Sequence, residues 1–156
     1  MKIEGSFEDA INALREAGLR ATGPRVAILR ALRDERTHPT AERIHASLSG
    51  HLPSLSLSTV YSTLETFLSA GLCRRVSPNG TRMRVDGNLS DHDHAVCSAC
   101  HRIFDVDRSA NELKVPPSQL PGGLEVHAVR VEYDVTCQTC RNKSAAPNRS
   151  MLKSPK

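Results

Sequence analysis

Two short cysteine pairs limit what this chain can fold into more than any other feature. Cys97-x-x-Cys100 and Cys137-x-x-Cys140 each place two sulfurs at turn spacing, and 36 residues separate the pairs. Each pair lies at the end of a segment with strand-like alternation, so a sheet can bring the four thiolates together. Four thiolates in a tetrahedron form a structural zinc site, closed to water and substrate. The interval exceeds the roughly 15–20 residues of the common zinc ribbon, so the pattern is strong without being unique. An iron–sulfur cluster and a dithiol redox pair use the same residues; structural zinc is the expectation. Cys73 stands apart and reads as a small buried apolar residue.

A second chemistry sits directly before the first pair, in Ser90-Asp-His-Asp-His-Ala-Val-Cys-Ser-Ala-Cys100. In an extended segment alternate residues share a face, so His92 and His94 point to one side. Asp86, Asp91, Asp93 and Asp105 are available to complete an oxygen and nitrogen site, which prefers Fe²⁺, Mn²⁺ or Zn²⁺ to a thiolate-seeking metal. The plainer reading is a pair of exposed loop histidines. His101 and His127 read as surface residues, as do His45 and His51.

Only five of the 156 residues are aromatic, so a metal staple or a dimer interface is expected to support small cores. Charge is unevenly spread. Residues 1–86 hold twelve Lys and Arg against nine acids, and residues 87–142 hold five against eight. Residues 143–156 hold four bases and no acid, and their composition reads as a disordered basic tail. A basic first half and an acidic, ligand-rich second half suggest nucleic acid at one end and metal at the other; ordinary surface charge is the bland alternative. Neither a signal-peptide core nor a membrane-length apolar run is present, so a cytoplasmic protein with reduced thiols is expected.

Helical periodicity marks a first helix on Phe7, Ala10, Ile11, Leu14 and Ala17, with Ser6 as its cap and Gly18 as its stop. Thr22-Gly-Pro24 opens a second helix with Val26, Ile28, Leu29 and Leu32 inward. Thr40 caps a third, with Ala41, Ile44 and Leu48 inward. A fourth spans 58–70, with Val60, Leu64, Phe67 and Leu68 inward and Gly71 as its stop. Two alternating runs around Pro78-Asn-Gly80 then predict a hairpin. Short helices followed by a basic hairpin make a winged helix-turn-helix over residues 1–86, with the fourth helix in the major groove. Ser58, Thr59, Tyr61 and Ser62 on its first turns suit base edges and phosphates. Alternation over 102–107 and 124–135 predicts strands for a small α/β domain at 87–142, and 109–115 has room for one or two helical turns.

These motifs resemble the ferric uptake regulator (Fur) superfamily. The resemblance covers about residues 7–142. It is carried by Leu19-Arg-Ala-Thr-Gly-Pro-Arg25, Thr37-His-Pro-Thr-Ala-Glu42, Ser58-Thr-Val-Tyr-Ser-Thr-Leu64, Ala70-Gly-Leu72, the stretch from Ser90 to Cys100, and Cys137-x-x-Cys140. It implies a homodimeric winged-helix repressor on palindromic double-stranded DNA, with zinc on the two cysteine pairs holding the dimerisation domain. The chain looks most like the peroxide-responsive (PerR) branch. That branch implies a regulatory Fe²⁺ or Mn²⁺ on His38, Asp86, His92, His94 and Asp105, where the iron-sensing branch typically has glutamates at the positions of Asp86 and Asp105. Many members carry a histidine where Val129 stands, and zinc-sensing members a cysteine shortly before His-x-His, absent between Arg74 and Val96. By the same resemblance Tyr61, Arg20 and Arg25 face DNA, and peroxide oxidises His38 or His92. Iron- or zinc-uptake regulation is the alternative within the class. Outside it stand a metal-dependent hydrolase on His92 and His94, for which the sequence offers no substrate pocket, and a zinc-stapled interaction module without sensing.

Overall fold

The computed structural model describes residues 7–35, 37–76, 83–108, 124 and 129–145. The chain divides into two compact units, Met1–Ser90 and Asp91–Lys156.

The first unit is built on four helices, α1 (Phe7–Glu16), α2 (Gly23–Asp34), α3 (Ala41–Leu48) and α4 (Leu57–Ser69), followed by strands β1 (Arg74–Val76) and β2 (Arg84–Asp86). The helices bury most of the stripes their sequence periods predict; on α1 Ala10 and Leu14 are buried and Ile11 and Ala17 half-buried, but Phe7, expected on that stripe, is 56% exposed at the helix start. Leu14, Ile28, Leu29, Leu32, Ile44, Val60, Leu64, Phe67 and Val85 form one core. Each such side chain contributes about 1.5–3 kcal/mol by leaving water. Cys73 joins that core as an apolar residue. Gly18 and Gly71 take positive φ values of 72° and 70°, which lets the chain turn sharply just after α1 and α4. Leu48 on α3 and Leu68 on α4, expected inside, are half-buried, and Thr63 on α4 is buried.

The helix caps differ in detail from the sequence reading. Thr22 occupies the cap position of α2 but its side chain makes no capping bond, whereas Thr40 accepts the Arg43 N–H. The cap of α4 is Ser56, which accepts the Thr59 N–H, so that helix begins at Leu57 rather than Ser58. Strands β1 and β2 pair antiparallel, with Arg74 opposite Asp86. The turn expected at Pro78-Asn-Gly80 and the Ser6 cap lie outside the described residues.

The second unit holds β3 (His92–Cys97), β4 (Ile103–Asp107), β5 (Glu132–Val135) and α5 (Gln138–Ala145). The sheet order is β4-β3-β5, antiparallel between β3 and β4 and parallel between β3 and β5. Of the strand expected over 124–135, the stretch Glu132–Val135 is β5, while 125–128 and the turns expected at 109–115 lie outside the described residues. One expectation is corrected. Helix α5 runs through Lys143 to Ala145, where a disordered tail was expected to begin. Backbone bonds from Cys140 and Arg141 to the Cys137 carbonyl, each 3.0 Å, start this helix, which the sequence shows no apolar stripe to reveal. Among the described residues no helix is long and apolar enough to cross a membrane.

Candidate metal centres

The parallel pairing of β3 and β5 explains how the cysteine pairs meet. Cys97 lies opposite Val135, and the Ser98 N–H donates to the Val135 carbonyl at 2.9 Å. Both strands therefore deliver their following turns to the same end of the sheet. After β3, Cys97 N–H donates to the Arg102 carbonyl at 2.9 Å and His101 N–H to the Cys97 carbonyl at 2.8 Å. His101 takes a φ of 56° to close this turn. After β5, the start of α5 turns Cys137 and Cys140 inward.

The four Sγ atoms lie within 4.8 Å of one another. Cys100 and Cys137 sulfurs are 3.8 Å apart, close to the edge of about 3.8 Å that a tetrahedron has with sulfurs about 2.3 Å from zinc. No disulfide joins any of the five cysteines. The donor set fits zinc, and the four cysteines form a structural zinc site. Backbone donors prepare it. The Cys137 N–H, with those of Cys100 and Ala99, pulls the Cys97 thiol down to about 6. The Cys140 N–H lowers Cys137. Cys140 donates to the sulfurs of Cys100 and Cys137 and is pushed up to about 12.

The residues expected as oxygen and nitrogen ligands fall into two groups, one in each unit. In the first unit His38 is buried, with a φ of 52° that is uncommon outside glycine. Two bonds from β2 hold that backbone. Arg84 Nη1 donates to the His38 carbonyl at 3.2 Å, and the Val85 N–H donates to the Pro39 carbonyl at 3.1 Å. Upstream, Glu35 accepts from Thr37 Oγ1 at 2.8 Å and pairs with Arg43 on α3. His38 Nε2 lies 4.0 Å from Asp86 Oδ1, and the Asn88 N–H donates to that same oxygen at 2.8 Å.

In the second unit His92 and His94 share a face of β3, as the alternation requires. Their Nε2 atoms are 3.1 Å apart, the separation of two nitrogens about 2.1 Å from one ion at a right angle. Asp105 stands opposite His94 on β4, and its Oδ1 lies 3.8 Å from His92 Nε2. The intervening Asp93 points to the other face, where it is buried against Arg108 at 2.9 Å. Asp91 is exposed. His45, expected on the surface, is half-buried with Nε2 2.8 Å from the Leu55 carbonyl; it anchors α3 to the loop before α4. His51 and His101 are exposed as expected, and His127 lies outside the described residues.

On α4, Ser58, Thr59, Tyr61 and Ser62 are exposed. The Tyr61 hydroxyl donates to Glu42 Oε1 at 2.9 Å, which fixes the ring against α3. Ser62 donates to the Thr59 carbonyl at 3.1 Å. Arg20 is exposed, and half-buried Arg25 donates to the Arg20 carbonyl at 3.4 Å. Glu42, Arg84, Arg102 and Arg108 did not stand out in the sequence. The adjacency of Arg84 to Asp86, and of Arg102 to Cys100, is the signal that points to two of them.

The sequence profile of the ferric uptake regulator family matches residues 16–133. The chain belongs to that family. Among its relatives is the peroxide-responsive repressor of Staphylococcus aureus, 34% identical over 142 residues, which span 90% of this chain and 95% of the repressor. The Campylobacter jejuni peroxide stress regulator superposes with a TM-score of 0.66 at 27% identity, covering 83% of this chain and 98% of that one. The Pseudomonas aeruginosa ferric uptake regulator, solved with manganese, gives 0.65 at 27% identity, covering 81% and 96%. Family members are transcription regulators, and the winged-helix and zinc-bearing parts of the fold expected from the sequence are those of the family.

Proposed function

We propose that this ferric uptake regulator family member is a homodimeric, cytoplasmic, metal-dependent repressor that leaves palindromic DNA when peroxide oxidises one of its ligand histidines, and that it turns over no substrate. The 34% identity to a peroxide-responsive repressor over nearly the whole chain carries this reading. The aspartates at 86 and 105 support it, since the resemblance links carboxylates of this length to the peroxide branch.

His38 and Asp86 supply one part of the regulatory site, and His92, His94 and Asp105 the other. An ion held by both parts joins the winged-helix domain at 1–86 to the dimerisation domain at 87–142. In a dimer that link sets the spacing of the two α4 helices, which must match about one turn of DNA. Metal affinity then becomes operator affinity through linkage. Tyr61, Ser58, Thr59 and Ser62 face the major groove, Arg20 the minor groove and Arg25 a phosphate. Bound Fe²⁺ supplies the one-electron chemistry that reduces peroxide beside the ligand imidazoles, and Mn²⁺ supports DNA binding without it. His38 or His92, once oxidised, is a poorer ligand, and the link between the domains is lost.

The test uses a palindromic operator selected from a random pool and fluorescence anisotropy. Peroxide should release the Fe²⁺-loaded protein and leave the Mn²⁺-loaded protein bound. Peptide mass spectrometry should place one added oxygen atom on a peptide containing His38 or His92. Retention of Fe²⁺-loaded protein on DNA after peroxide would sink the reading in favour of metal sensing. His38→Ala should abolish metal-dependent binding; unchanged binding would instead mean an interaction module without sensing.

A further inference from the structure

Arg102 belongs to neither ligand set, yet it touches the zinc cluster at two points. Its Nε lies 3.5 Å from Cys100 Sγ and its Nη2 3.3 Å from Cys137 Sγ. The guanidinium carbon sits 5.8 Å from the centre of the Phe104 ring, on β4. One planar cation thus spans a sulfur from each pair and stacks on an aromatic ring behind it. Arginine suits this role because its donors form a rigid fork, whereas lysine offers a point charge. The two sulfur contacts hold the guanidinium more firmly protonated than an isolated arginine. Zn²⁺ with four thiolates carries a formal double negative charge, so a cation at its edge is attracted to the assembled cluster.

We propose that Arg102 guards the cysteine cluster: it ties the two pairs together and shields their sulfurs from hydroperoxide, so that zinc stays bound while the histidine site reacts. The biological purpose rests on the peroxide-responsive reading; the chemistry at sulfur stands without it. A cysteine thiolate attacks hydrogen peroxide, an S–O bond forms, the O–O bond breaks and hydroxide leaves. A second thiolate attacks the resulting sulfenic acid, an S–S bond forms and another hydroxide leaves. Two thiolates have then given up two electrons to one peroxide, and the cluster has lost two ligands. The first step needs electron density at an approachable sulfur. The N–H donors of Arg102 draw on that density at Cys100, which is exposed, and at half-buried Cys137, and occupy one side of each sulfur.

The experiment compares wild type, Arg102→Met and Arg102→Lys, each reduced, loaded with zinc and free of iron. Arg102→Met keeps the length and the contact with Phe104 but removes the charge and both donors. Zinc release after hydrogen peroxide is followed with a chromogenic chelator, and disulfides by mass spectrometry. Arg102→Met should lose zinc about tenfold faster than wild type or more, the usual scale for the loss of a partner to a metal ligand. Arg102→Lys should fall between. Equal rates in wild type and Arg102→Met overturn the proposal. So does a faster loss in Arg102→Met that is the same with and without peroxide, which would leave only a mechanical clamp. Should Arg102→Met fail to retain zinc on purification, wild type against Arg102→Lys decides, with equal peroxide-driven rates again overturning it. Absence of histidine oxidation in the Fe²⁺-loaded wild type would defeat the peroxide reading and leave this comparison intact.

Discussion

Removing Arg108 should destabilise the second unit more than neutralising its partner Asp93, and the second change should rescue the first. The Asp93 side chain is 2% exposed and Arg108 is 37% exposed. Arg108 gives Asp93 Oδ1 two donors, Nε at 3.2 Å and Nη2 at 2.9 Å, and Nη2 also donates to the Val129 carbonyl at 2.9 Å. Truncating one side of a buried pair costs about 3–5 kcal/mol because a charge is left in the interior. Water reaches the arginine end of this pair, which brings the figure to about 2–3 kcal/mol. The lost bond to Val129 adds about 1 kcal/mol. In Asp93→Asn the amide keeps the shape and one acceptor, and the freed guanidinium turns to solvent, so about 1 kcal/mol is lost. The double variant Asp93→Asn/Arg108→Ala buries no charge and should be more stable than Arg108→Ala alone. Urea midpoints at fixed zinc and protein concentration measure this, since both concentrations shift apparent stability. An Asp93→Asn loss as large as that of Arg108→Ala, or a strictly additive double variant, would refute the reasoning.

Two further outcomes come from the first unit. A Cβ on Gly87 would stand 3.0 Å from both the Cγ and the carbonyl oxygen of Leu32. Gly87→Ala should therefore cost about 1–3 kcal/mol and, by displacing Asp86, weaken Mn²⁺ binding measured by calorimetry; unchanged affinity would show that α2 gives way instead. Burial, with smaller contributions from the charges of Asp86 and Glu65, pushes the Cys73 thiol up to about 12 from an ordinary value of 9.0. Above pH 9 the unfolded thiol ionises while the folded one keeps its proton, so rising pH favours unfolding. The stability advantage of wild type over Cys73→Ala should hold below pH 9 and then shrink by about 1.4 kcal/mol per pH unit towards 12; an advantage constant to pH 11 in urea titrations would disprove it.

The helices of the first unit were legible because each has a periodic apolar stripe bounded by a cap or a glycine. Gly18 and Gly71 mark their stops by taking backbone angles that other residues avoid. The second unit was legible mainly through its ligands. Cys97, Cys100, Cys137 and Cys140 announced a common site, but not the parallel β3–β5 pairing that brings them to one end of the sheet. Parallel pairing depends on partners far apart in sequence, and local alternation carries no sign of it. Helix α5 was hidden for a different reason. It is a surface helix begun by the turn at Cys137, without an apolar face to betray it. The arginines were the least legible. Arg84, Arg102 and Arg108 look like ordinary surface charge, and only the fold shows a carbonyl, two sulfurs and a buried carboxylate at their ends.

Strand β3 carries three separate chemistries, and their order along it makes each depend on the others. His92 and His94 occupy one face, Asp93 the opposite face, and Cys97 the end. A slip of one residue would exchange the histidines for Asp93 and Ala95 on the ligand face, because strand side chains alternate with a period of two. Two devices oppose that slip. The cysteine cluster fixes the end of β3 against the end of β5, and the Asp93–Arg108 pair fixes its start against the residue that follows β4. Neither touches the regulatory metal by the proposed ligand assignment, yet both decide where His92 and His94 point. The zinc site is therefore more than a staple for a small core. It sets the register in which His92 and His94, the proposed ligand pair, share one face, and loss of zinc should disturb that pair's geometry whether or not the histidines are oxidised.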